Sequence, residues 1–194
     1  MNAGRSTLKA LTTGAALVAA MMLPLSVSAV EYTQLQAADS KVAFLYEQMG
    51  VKIDGHFKTF SADIRFDPAK PEAARASLTV DLVSVNAGSP DADSEVVTAP
   101  WFNVPKFPQA RFESTSVKAT GADTYELAGK LTIKGVTKDV RFPATFKASG
   151  NTGAFTGSLT IKRGDFAIGE GDWSTFDIVA NDVPITFDLR VAAK

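Results

Sequence analysis

The chain has 194 residues, 20 basic against 21 acidic side chains for a formal net charge of −1, a single histidine and no cysteine. So even a balance offers no electrostatic footprint for nucleic acid. The lack of cysteine excludes disulfides, thiolate metal sites and a thiol nucleophile.

Residues 1–29 differ in kind from the rest. Arg5 and Lys9 open the segment, an apolar stretch runs from Ala10 to Leu25, and Pro24 precedes the small-residue site Val27–Ser28–Ala29. This is the layout of a secretory signal peptide, with cleavage expected after Ala29. The apolar stretch falls short of the roughly 20 residues a spanning helix needs, so no permanent membrane anchor is expected. Losing Arg5 and Lys9 would move the net charge from −1 to −3. Residues 30–194 then form one domain, long enough to bury a sizeable core. Its expected location is an exported compartment, most simply a bacterial periplasm.

After the cut nearly every segment alternates with period two, the mark of a half-buried strand. Val42, Phe44 and Tyr46 come first, then Phe60, Ala62, Ile64 and Phe66, then Leu78, Val80 and Leu82. Phe112, Ser114 and Ser116 follow, with Leu127–Ile133 and Val140–Phe146 after them. Phe155, Leu159 and Ile161 share a parity, as do Val183, Ile185, Phe187, Leu189 and Val191. Two interruptions separate these runs. The first, Ala69–Arg75, reads as one helical turn. In the second, Ser89 is a plausible N-cap with Pro90 at the first helical position, and Pro100 ends the helix near Thr98. The expected fold class is all-β, an antiparallel barrel or sandwich of about eight strands, with one or two short helices in connections.

Catalytic equipment is sparse. His56 lies between Gly55 and Phe57 with no carboxylate placed to orient it. Asp165, Glu170 and Asp172 lack the register of a calcium loop. No catalytic residue, metal ligand or cofactor is expected. What stands out is apolar: all 13 phenylalanines follow residue 29, most of them in step with aliphatic neighbours. A barrel of about eight strands is either just filled by such side chains or holds one small ligand. A cavity lined by Phe and Leu suits a long hydrocarbon.

Five groups of motifs resemble the YceI-like family of bacterial periplasmic proteins. They are Ser40–Phe44; Gly55–Phe57 with Phe66–Pro68; Asp93 with Trp101–Val104 and Phe107–Phe112; Gly129–Thr132 with Gly135–Lys138; and Arg163–Phe166. The resemblance implies a lipocalin-like barrel that binds polyisoprenoid, quinone-type or acyl lipids as a carrier or sequestering protein, not an enzyme. Departures are Gln48 where the family often has histidine, Ala92 where arginine is common, and Ala167 where glycine is usual.

The pore lining expected from strand parity and the plug segment is Phe44, Tyr46, Phe60, Ile64, Leu78, Val80, Leu82, Trp101, Phe102, Phe112, Leu131, Ile133, Phe142, Phe146, Leu159, Ile161 and Phe166. The Ser89–Ala110 connection should cap one mouth, with Trp101–Phe102 as an apolar plug. The competing expectation is a fully packed barrel without ligand, acting as an envelope interaction or stress-response protein. A homodimer is compatible with either.

Overall fold

The computed structural model describes Met1 and residues 30–194; the expected signal peptide lies outside the described residues. The strands are β1 (Tyr32–Leu35), β2 (Lys41–Gln48), β3 (Val51–Phe57), β4 (Phe60–Arg65), β5 (Arg75–Asp81), β6 (Val85–Asn86), β7 (Gln109–Ala119), β8 (Thr124–Ile133), β9 (Val136–Ser149), β10 (Thr152–Lys162) and β11 (Asp182–Ala193). One α-helix, α1 (Pro90–Val96), lies between β6 and β7. No helix among the described residues is long and apolar enough to cross a membrane.

All pairings are antiparallel, in the order β4-β5-β7-β8-β9-β10-β11-β2-β3-β6, with β1 added to β11. The sheet curls around its apolar face, and β1 bridges it on one side. Tyr32 donates its amide to the Phe66 carbonyl at 2.8 Å and Phe66 returns the bond at 3.1 Å, so β1 joins β11 to the end of β4. The bridge covers the end of the β4 edge, and a covered edge is less open to aggregation.

Local chemistry accounts for the hairpins. Met49 and Gly50 (φ +51° and +80°) turn β2 into β3, and Lys134 and Gly135 (φ +50° and +78°) turn β8 into β9. Two successive positive φ values are what a type I′ turn needs, and its twist matches that of the strands. In α1, Ser89 accepts a hydrogen bond from the Ala92 amide at 3.2 Å while Pro90 occupies the first turn, as the sequence predicts.

The barrel has eleven strands where the sequence suggested about eight. The additional ones are β1, β3 and β6. β1 and β6 have four and two residues, too few to show alternation. In β3 the alternation Val51, Ile53, Phe57 is broken by Gly55. The expected turn at Ala69–Arg75 is a 3-10 turn at Pro71–Ala73.

Inward-facing side chains form two buried clusters. One gathers Tyr32, Phe66, Tyr125, Phe146 and Val191 at the β1 end. The other gathers Leu82, Trp101, Ile133, Phe166 and Val179 beneath the long loops at the opposite end.

Candidate functional site

Between the two clusters the barrel encloses a cavity of about 480 Å³, within the range of pockets that hold small molecules. It reaches from Phe66, Tyr125 and Phe155 at the β1 end to Trp101, Phe102 and Trp173 at the loop end. Its waist is a belt of rings. Phe112, Phe142 and Phe187 stand 5.3 and 5.8 Å apart in succession, and Phe44 lies 5.4 Å from Phe57. Offset or tilted contacts at these separations are the favourable ones for aromatic pairs.

Polar groups gather towards the loop end. Gln48, Ser89, Asp91 and Glu95 border the cavity there. The Tyr46 hydroxyl donates to the Ala87 carbonyl at 2.9 Å. Burial, and secondarily the carboxylate of Asp93, push this phenol above its ordinary pKa. Asp93 itself accepts the Ala87 amide and ties α1 to β6. On the β4, β5 and β7 side, Arg65, Arg75, Ser77 and Arg111 border the cavity.

Two buried cations build the roof. Arg163 is 2% exposed and donates to the carbonyls of Ile168 (2.8 Å), Trp173 (2.9 Å), Thr175 (2.8 Å) and Val179 (2.9 Å), among others. It also stacks between Trp101 (5.5 Å) and Phe176 (4.9 Å). Burial lowers its pKa, and the carbonyl dipoles replace the water it has lost. Lys134, on the β8–β9 turn, places Nζ 3.0 Å from the Pro100 carbonyl and 2.6 Å from both the Ala167 carbonyl and Glu170 Oε2. One lysine thereby pins two loops over the barrel end. Glu170 is engaged in this way, and no group of three or more His, Cys, Asp or Glu among the described residues is placed to hold a metal.

Of the lining expected from parity, all but Phe60, Phe146 and Phe166 reach the cavity wall. Phe60 starts β4 opposite Val80 and packs on the β1-end cluster without reaching the lumen. Phe146 has the right parity but stands behind Phe66 and Phe155, 4.8 and 4.5 Å away, as filling of the closed end. Phe166 lies four residues beyond the end of β10, at the close of the 3-10 turn Arg163–Phe166, where strand parity no longer sets direction. Trp101 and Phe102 do border the cavity, Trp101 only 8% exposed and donating Nε1 to Glu95 Oε1 at 3.1 Å.

Further wall residues lie on the same parities. Val183, Ile185, Phe187 and Leu189 share one face of β11, and Phe155 is in step with Leu159; all line the cavity. Phe57 was hidden by the neighbouring glycine. Trp173 has no sequence signal, because the loop bearing it is folded inward by Arg163. A fully packed barrel would have no such cavity.

A family model for the YceI-like domain matches residues 33–191. A UPF0312 protein of Pseudomonas putida strain W619 is 34% identical over 139 residues, covering 69% of this chain and 72% of that protein. One from Azotobacter vinelandii is 33% identical over 171 residues, 84% and 88% of the two chains. The crystal structure of Burkholderia cenocepacia BcnA superposes with a TM-score of 0.79 at 39% identity, covering 81% of this chain and 99% of that one. A polyisoprenoid-binding domain from Saccharophagus degradans, implicated in plant cell wall breakdown, has a TM-score of 0.65 at 20% identity, covering 85% and 99%, a likeness of fold alone. The chain belongs to the YceI-like family. Gln48 and Ala92, where the resemblance implied histidine and arginine, both fall on the cavity wall.

Proposed function

From this membership and this cavity we propose that the protein carries or sequesters a long amphiphilic lipid, its chain of polyisoprenoid, quinone or acyl type, in the barrel interior. The observation that carries the reading is the continuous aromatic and aliphatic wall around about 480 Å³. Protein interiors are close-packed, and a space of this size lined by carbon loses the contacts that stabilise a core unless a chain supplies them. Each methylene moved from water into it contributes about 0.8 kcal/mol, so a lipid tail binds tightly without a specific polar partner. A polyisoprenoid-binding domain from Saccharophagus degradans has the same fold, which supports this reading. The apolar wall, with its polar groups confined to the borders of the cavity, favours binding over catalysis.

The site of action, on this reading, is the periplasm after removal of residues 1–29. Organic extraction of the purified native protein, followed by mass spectrometry, should release a long-chain lipid. N-terminal sequencing of the exported form should begin at Val30. Absence of lipid, with no uptake of offered polyprenols, quinones or fatty acids, would refute the carrier; a retained N-terminus would refute the cleavage.

A further inference from the structure

Three rings of the cavity wall lie on glycine. Phe44 sits directly across the β2–β3 pair from Gly55, and Phe187 directly across the β10–β11 pair from Gly157. Phe112 on β7 covers Gly129 on β8 from the diagonal position. At each glycine an added Cβ would overlap the covering ring, so a ring can lie in this place only because the side chain beneath it is absent. The pairs β10–β11 and β2–β3 are contiguous through the β11–β2 pairing, and β7–β8 stands apart from them with β9 between. All three rings line the lumen.

An aromatic ring over a cross-strand glycine stabilises a sheet wherever it occurs. Here it has a geometric consequence as well. A ring laid flat on the wall takes its thickness from the lumen, whereas a ring displaced by a Cβ takes more of its length. We propose that Gly55, Gly129 and Gly157 are specificity-determining residues that set the bore of the pore. They keep it wide enough for a chain bearing methyl branches, an isoprenoid, where a pore of ordinary side chains would pass only a straight acyl chain. The inference rests on the reading of the cavity as a lipid site and deepens it.

Gly157 gives the sharpest test, because the Phe187 ring and the Pro143 carbonyl both crowd its open side. Geranylgeraniol and the straight-chain alcohol of equal backbone length share a hydroxyl head and differ in branch methyls. Binding of each is followed by the fluorescence of the Trp101–Trp173 pair, whose rings are 5.3 Å apart at the end of the cavity. Gly157→Ala should weaken geranylgeraniol by about tenfold, the scale on which an apolar pocket discriminates a methyl group, and the straight alcohol far less. Phe187→Leu removes the ring instead of crowding it, and should shift the preference towards the branched chain. Gly157→Ala with Phe187→Leu should return the ratio towards that of the unaltered protein.

A purely stabilising role for the glycine would lower the melting temperature and leave the ratio of the two affinities in place. A ratio unmoved by Phe187→Leu and by the double substitution would overturn the inference while leaving the lipid site standing. Failure of the unaltered protein to bind either alcohol would overturn both.

Discussion

Ala167 closes the 3-10 turn Arg163–Phe166 in the left-handed region at φ +53°, a conformation that favours glycine. A Cβ in this conformation costs about 1 kcal/mol. Ala167→Gly should therefore raise stability by about 1 kcal/mol, or about 2–4 °C in Tm for a chain of this size. Thermal unfolding checks it, and an unchanged Tm would show that the turn stores no strain. Tyr46 supplies a second test. Its folded-state pKa lies above the ordinary value, first through burial and then through Asp93. Above about pH 10 the unfolded phenol gives up its proton while the folded one keeps it, so the native state binds more protons. This stabilising contribution is intact below that pH and disappears as pH rises through the folded value. Tyr125 acts in the same direction, through burial and then Asp123. Urea titrations should show a shallower alkaline loss of stability in Tyr46→Phe than in the unaltered protein; equal slopes would mean that the phenol titrates freely in the fold.

At the scale of elements, strands and turns were legible because each rests on local chemistry: alternation for β7–β11, successive positive φ at Lys134–Gly135, a serine cap at α1. The partners of those elements were not. Lys134 reads as an outward polar residue alternating with Leu131 and Ile133, yet its ammonium holds carbonyls 34 and 33 residues away in sequence. Lys134→Met should leave the barrel folded and speed amide exchange in 98–108 and 164–171, the two loops it joins; unaltered protection there would make the lysine dispensable. Trp101–Phe102 was expected to plug one mouth from its paired aromatics among prolines, and these two rings do lie on the cavity wall. Trp101→Ala removes the Glu95 hydrogen bond and the contact with Trp173. It should accelerate lipid dissociation by about tenfold, the equivalent of about 1.4 kcal/mol. Displacement of a fluorescent lipid analogue measures the rate, and unchanged on- and off-rates would remove the plug.

For the molecule as a whole, the cavity couples ligand to stability. A ligand that binds only the folded state stabilises it by about 2.7 kcal/mol at a hundred times its Kd. Protein stripped of lipid by extraction and refolding should melt several degrees lower than the native preparation, and recover on addition of the extracted lipid. Coincident melting curves would show that the barrel is indifferent to its contents. The bridge made by β1 also belongs to this scale. β1 is four residues long, yet it both pairs with β11 and bonds to Phe66, joining the interior of the sheet to the end that β4 forms.

The sequence by itself determined the all-β class, most strands, the helix and its cap, the family, and which residues of most strands point inward. These follow from alternation, turn chemistry and short motifs, all properties of neighbours along the chain. Only the tertiary structure decided which inward residues meet a cavity and which fill an end. Phe142 and Phe146 share a strand and a parity, yet one borders the lumen and the other is stacked behind Phe66 and Phe155. Parity selects a face of the sheet; depth along the barrel axis depends on which strand, ring or loop arrives from far away in sequence to close the space. The glycines under Phe44 and Phe187 show the same division. Each reads as a gap in a strand pattern until the neighbouring strand lays a ring across it.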